Sequence, residues 1–272
     1  MNAPARPNTS EAILLREDLQ GVSVLTLNRP AARNCLSEAL LGALTESFAA
    51  IARDRSARAV VIAANGPAFC SGHDLKELTA RRSDADGGRA YFHHIMTTCS
   101  AMMQSIVSLP QPVIAAVNGV ASAAGCQLVA TCDLAVASAQ ARFATPGVDI
   151  GLFCSTPMIA ISRNLPRKQT MHMLLTGEMV EAQEARRLGL VNSVVDAGRE
   201  REEAIAFARK VASKSSHVVK IGKEAFYRQL DMPLAEAYRY AAAVMTENMM
   251  ARDAEEGICA FIDKRNPTWE DR

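Results

Sequence analysis

Three loops of this sequence carry residues whose types and spacing could do chemistry. Asn28 to Asn34, NRPAARN, sets two arginines at the end of an apolar run. A guanidinium matches phosphate in charge and geometry. The loop therefore reads either as a clamp for a phosphate-bearing ligand or as a solvated connection. Phe69 to Leu78, FCSGHDLKEL, has Gly72 at a place where a bend would turn the backbone N–H of His73 toward a ligand. The third loop lies in Val113–Phe153, where an apolar run passes into Ala121-Ser122-Ala123-Ala124-Gly125. Small residues ahead of a helix leave its first N–H groups and its positive end accessible; the same composition suits close packing of helix on strand. If the last two loops converge, they supply two backbone N–H donors, an oxyanion hole that favours a carbonyl on its way to an enolate.

The elements that would position these loops are legible as patterns. Strands are expected over Ala12–Arg16, Val22–Leu27, Ala59–Ala64, Val113–Val117, Leu134–Ala137 and Val191–Val195. The run AVVIAA is continuously apolar and suits a strand covered on both faces. Ser37 is a plausible N-cap for a helix to about Arg53. Asp74 can cap a short helix, and a longer one, carrying His93 and His94, is expected from about Ala90 to Leu109. Strands alternating with helices predict an α/β core with a largely parallel arrangement. Past about Pro157 helical patterns dominate, so residues 12–200 read as the core, 201–272 as a helical appendage and 1–11 as a disordered lead-in.

Composition excludes several classes. The net charge of +1 gives no bulk field for nucleic acid or an anionic membrane. The seven cysteines form no CxxC pair, so no zinc site or disulfide framework is suggested, and a reducing compartment such as the cytoplasm fits. No apolar run approaches the ~20 residues of a membrane-spanning helix. No GxGxxG follows a strand, which argues against a Rossmann-type nucleotide site.

NRPAARN, AFCSGHDLKEL and VNGVASAAGCQLVATCDLAVAS, in that order and at these separations, resemble the crotonase family, the enoyl-CoA hydratase/isomerase superfamily. The closing GICAFIDKRNPTW resembles its C-terminal helix and tail, so the match runs from about Val22 to Trp269. The resemblance implies a crotonase-like α/β spiral of ββα units with a C-terminal helical trimerisation region, assembled as a homotrimer or a dimer of trimers. It implies an acyl-CoA thioester ligand, with coenzyme A entering as part of the substrate, no separate cofactor and no metal. By motif position the oxyanion donors are the N–H groups of His73 and Ala124. Lys76 falls where a lysine reaches the CoA nucleotide, Arg29 and Ala31 in the loop bordering it, and Phe261 and Lys264 in the tail that completes a neighbouring subunit's site. The mitochondrial matrix is the alternative compartment if the source is eukaryotic.

The departures from the family pattern are specific. Its first catalytic glutamate is Gln127 here, and its second is Gly147. An amide cannot take a proton from water near pH 7, and glycine has no side chain. Asp149, two residues on, and His94 are the remaining acid–base candidates, each with a structural reading as well. Two functions follow: an enzyme of the hydratase/isomerase type with an unusual acid–base set, or a non-catalytic acyl-CoA-binding protein.

Overall fold

A computed structural model describes residues 12–272, and the expected lead-in 1–11 lies outside the described residues. The chain opens with a hairpin of β1 (Leu14–Leu19) and β2 (Val22–Leu27), turning through Gln20 and Gly21, both at positive φ. A 3-10 turn over Pro30–Ala32 leads to α1 (Glu38–Arg53), whose N-cap Ser37 accepts from the Leu40 N–H at 3.2 Å. Three ββα passages follow. The first is β3 (Ala59–Ala64) and β4 (Ala68–Cys70), then α2 (Leu75–Ala80) and α3 (Arg89–Ser108). The second is β5 (Val113–Val117) and β6 (Val120–Ser122), then α4 (Ala124–Thr131). The third is β7 (Leu134–Ser138) and β8 (Arg142–Ala144), then α5 (Pro157–Ile161) and α6 (Arg167–Thr176). Next come β9 (Val180–Glu181), α7 (Ala182–Leu188) and β10 (Ser193–Val195).

Each passage contributes its longer strand to one sheet and its three-residue strand to another. The six-stranded sheet has the order β1-β2-β3-β5-β7-β10 and is parallel beyond the first hairpin. The four-stranded sheet has the order β4-β6-β8-β9. This is the expected spiral of ββα units. The second sheet was not expected, because strands of two or three residues are too short to show a period of two.

Strand β3 explains the packing. Val60 and Ile62 point into the larger core with α1 and α3, whereas Ala59, Val61 and Ala63 point to the other face. There they meet Ala204, Ile205 and Ala208 of α8 (Glu200–Ala212). The strand is buried on both faces, as its unbroken apolar run requires. The helical segment after residue 200 thus begins, with α8, by packing on the core. This helix closes the sheet, and the change of character comes after Ala212.

Beyond it, α9 (Ser216–Gln229), α10 (Leu234–Met249) and α11 (Arg252–Ile262) are amphipathic but leave apolar residues in the open, among them Leu234, Tyr238, Met250 and Phe261. Two anchors hold them. The Lys223 ammonium donates to Asp133 Oδ2 at 2.7 Å and to the carbonyls of Ile106 and Gln111, while the Tyr227 O–H donates to Asp133 Oδ1 at 2.8 Å. In the tail, Asp271 takes a two-pronged contact from Arg58 at 2.9 and 3.0 Å. Among the described residues no helix is long and apolar enough to cross a membrane.

Candidate functional site

The site is built where the loop after β4 meets the loop after β6. Gly72 has φ +95°, and a Cβ on it would lie 3.0 Å from the Ala123 Cβ and 3.5 Å from the Ala124 nitrogen. Gly125 packs so closely on Cys70 that a Cβ there would enter the carbonyl oxygen. The two small-residue positions are therefore contacts between the loops, which lets both readings of that composition hold together.

The backbone sets the direction of each N–H. Leu36 donates its N–H to the Gly72 carbonyl at 2.7 Å and accepts from the Asp74 N–H at 3.2 Å. These bonds flank His73 in a parallel bridge, so the N–H of His73 itself faces the opposite side. Ala124 is the first residue of α4, where a helical N–H has no partner four residues back. Ala123 before it has φ +50° and ψ −117°, with its N–H tied to the Ala144 carbonyl at 2.9 Å. Among the described residues neither the His73 nor the Ala124 N–H donates to a backbone carbonyl.

Several buried polar side chains on and beside these elements lack partners among the described residues. Gln127 lies one turn into α4, its N–H bonded to the Ala123 carbonyl at 3.0 Å. It is only 5% exposed, and its Oε1 meets no partner among the described residues. The same holds for Thr145 Oγ1, which follows the carbonyl holding Ala123, and for both ring nitrogens of His73. Burial pushes the His73 imidazole below its ordinary pKa, with the Leu36 backbone opposing, so the ring is neutral near pH 7. Thr145 is a polar group that sequence reasoning passed over. The available signal was a hydroxyl one residue before Pro146 in an otherwise apolar approach.

Gly147 is buried, and the space beside it is filled. A Cβ there would lie 3.0 Å from Cys154 Sγ and 3.0 Å from the Leu152 carbonyl oxygen. The Leu152 N–H donates to the Gly147 carbonyl at 2.9 Å, which draws this loop tight. Burial raises the Cys154 thiol, with the Gly147 backbone opposing, which keeps it a poor nucleophile.

The other acid–base candidates, Asp149 and His94, both lie on exposed surface. The Asp149 carboxylate lies against Gly177 at the end of α6, 2.8 Å from where a Cβ on that glycine would sit. His94 Nε2 is 3.1 Å from Glu38 Oε1 on an exposed face, where the Tyr91 hydroxyl also donates to Glu38.

Of the expected CoA-contacting residues, Ala31 and Lys76 are exposed. Lys76 stands in the first turn of α2, close to the bend at Gly72. Arg29 has partners within the protein. Its guanidinium donates to Asp74 Oδ2 at 3.1 Å and to the Cys35 carbonyl at 2.8 Å. It braces two loops, because a carboxylate 45 residues along the chain competes for the same charge. Phe261, 84% exposed, and Lys264, at φ +56°, lie at the end of α11, which packs on α9 and α10. Among the described residues there is no group of three or more His, Cys, Asp or Glu that could hold a metal ion.

Comparison with known proteins follows this geometry. The family model for enoyl-CoA hydratase/isomerase matches residues 17–272. The rat protein described as enoyl-CoA hydratase domain-containing protein 3, mitochondrial, is 46% identical over 266 residues, covering 98% of this chain and 87% of that protein. A crystal structure of an enoyl-CoA hydratase from Mycobacterium smegmatis superposes with a TM-score of 0.90 at 50% identity, covering 95% of this chain and 99% of that one. The crystal structure of human enoyl-CoA hydratase domain-containing protein 3 gives a TM-score of 0.90 at 46% identity, covering 95% of this chain and 100% of that one.

Proposed function

Given that the chain belongs to the enoyl-CoA hydratase/isomerase family, we propose that it binds an acyl-CoA thioester and stabilises its enolate through the backbone N–H groups of His73 and Ala124, without rapid hydration of ordinary 2-enoyl-CoA. The observation that carries this reading is the pair of N–H groups, on either side of the Gly72–Ala123 contact, that donate to no backbone carbonyl among the described residues. As charge develops on the thioester oxygen, two fixed donors stabilise it without having to reorganise, and one such donor is worth about 10²–10³ in rate. Hydration also needs a group to take a proton from water and one to return a proton to carbon. A positioned acid or base contributes about 10²–10⁴, and neither Gln127 nor Gly147 can serve. Lys76 and Ala31 border the CoA nucleotide in this reading, and Phe261 and Lys264 complete it from a neighbouring subunit. Coenzyme A is part of the substrate, and no separate cofactor is required. The exposed apolar residues of α9 to α11 support a homotrimer or a dimer of trimers. Fatty-acid metabolism is the setting such a ligand suggests. The mitochondrial relatives favour the matrix over the cytoplasm where the source is eukaryotic.

A second reading, a non-catalytic acyl-CoA binder or regulator, is favoured by Cys154. Its sulfur and the Leu152 carbonyl crowd the position from which a second carboxylate would extend. Crotonyl-CoA hydration tests both readings. Wild type should run at least about 100-fold slower than a family member with both glutamates. Gln127→Glu/Gly147→Glu should recover little, and adding Cys154→Ala to that pair should raise the rate further. Wild-type hydration at the rate of a glutamate-bearing relative would sink the proposal. So would a melting temperature unmoved by saturating butyryl-CoA.

A further inference from the structure

We propose that Arg29 and Asp74 are positioning residues whose ion pair fixes the direction of the His73 N–H, and with it the polarisation of a bound thioester carbonyl. The inference rests on the acyl-CoA reading above and gives Arg29 a different task from holding a ligand phosphate.

Asp74 follows His73 directly, and its carboxylate is used on both sides. Oδ1 caps α2, accepting from the N–H groups of Lys76 at 3.2 Å and Glu77 at 3.4 Å. Oδ2 accepts from Arg29 at 3.1 Å and from the Cys35 thiol at 3.2 Å. A helix of six residues has little stability of its own, so the cap matters to where its first turn sits. Arg29 in turn reaches the Cys35 carbonyl at 2.8 Å, and its backbone N–H donates to Asn34 Oδ1 at 2.8 Å. The Asn34 amide then donates to the carbonyls of Asn65 at 2.9 Å and Ala68 at 2.8 Å, where β4 begins. Contacts thus run from Arg29 through Asn34 to β4, along the chain to His73, and back through Asp74. The peptide bearing the His73 N–H is held by the Leu36 bridge on one edge and by this ring of contacts at its end.

The pair is largely withdrawn from water, with side chains 22% and 12% exposed. Removing one partner therefore leaves a charge poorly solvated rather than free. Burial raises the Asp74 carboxyl, but hydrogen bonds from Cys35, Arg29 and the Glu77 and Lys76 N–H groups outweigh it and hold the carboxyl below its ordinary range. It is ionised at neutral pH.

The test is the carbonyl stretch of carbonyl-¹³C-labelled butyryl-CoA, which cannot be hydrated, bound to wild type, Arg29→Met and Asp74→Asn. Wild type should lower the stretching frequency relative to the free thioester. Both variants should lose about half or more of that shift, while the butyryl-CoA Kd rises less than tenfold. Arg58→Met, which breaks a comparable ion pair with Asp271 elsewhere, should lower Tm and leave the bound frequency at the wild-type value. If Asp74→Asn does not fold, Arg29→Lys replaces it, since an ammonium cannot bridge Asp74 and the Cys35 carbonyl as the planar fork does. A wild-type frequency in the Arg29 and Asp74 variants overturns the positioning role. A large loss of affinity in Arg29→Met alone, with the shift intact, returns Arg29 to the phosphate. If even wild type shows no shift, the oxyanion reading fails first and this one falls with it.

Discussion

The two halves of the candidate site are built in opposite ways. The half that would hold the thioester oxygen consists of backbone. His73 is fixed between two bonds to Leu36, Ala124 heads a helix, and the Arg29–Asp74 ion pair closes the arrangement. The half that would handle protons consists of side chains. There Gln127 Oε1 and Thr145 Oγ1 are buried without partners among the described residues, and Cys154 crowds Gly147. A backbone donor survives almost any substitution that keeps the fold, whereas one codon change removes a carboxylate.

The contrast is broken most severely at Gly125. Gly125→Ala forces a methyl group into the Cys70 carbonyl, and the two loops must part. Loss of at least about 3 kcal/mol of stability is expected from such overpacking against backbone, together with loss of butyryl-CoA binding. Urea unfolding and a thermal-shift titration measure the two effects.

On the other half the same kind of substitution should do the reverse. Thr145→Val removes a buried hydroxyl that meets no partner, so the unliganded protein should gain up to about 1 kcal/mol, against the usual direction of core substitutions. A clear fall in Tm would mean that the hydroxyl is already satisfied and that the proton half is as tightly built as the oxyanion half.

The smallest effect is a pH dependence that begins in the braced half. Burial, hydrogen bonding to Asp74 and the Asp74 charge push the Cys35 thiol up to about 11, against the opposing influence of Arg29. An unfolded cysteine loses its proton near 9, so between about 9 and 11 the folded state binds more protons than the unfolded one. Stability contributed by this group therefore falls as pH rises through that window. Cys35→Ala should flatten the decline of Tm between pH 8.5 and 10.5; an unchanged slope assigns the decline to other buried thiols, Cys70, Cys99 and Cys126 among them, which burial raises to about 12.

How much of this could be read in advance follows from the range of each interaction. The strand Ala59–Ala64, the Ser37 and Asp74 caps and the meeting of the Gly72 and Ala124 loops were legible, because each depends on residues close in sequence or on a motif. The second sheet was not, since β4, β6, β8 and β9 are too short to show a pattern. The role of Arg29 was hidden because its partner is 45 residues away. The crowding of Gly147 was hidden because it depends on how a loop folds back to bring Cys154 beside it. Which surface α8 covers was not legible, because a helix covering a sheet and a helix facing solvent both show a single apolar stripe.

Ala123 sits at φ +50° and ψ −117°, a conformation that glycine adopts without strain and an L-residue does not. Such a setting costs about 1–3 kcal/mol where it occurs. The methyl group responsible also limits what the chain samples before it folds, but at positive φ the strain it adds to the folded peptide outweighs that entropy. The N–H of Ala124 hangs from that peptide. Its aim is therefore held under tension, by the 2.9 Å bond from the Ala123 N–H to the Ala144 carbonyl, and weakening that bond would let the peptide relax and swing the donor away.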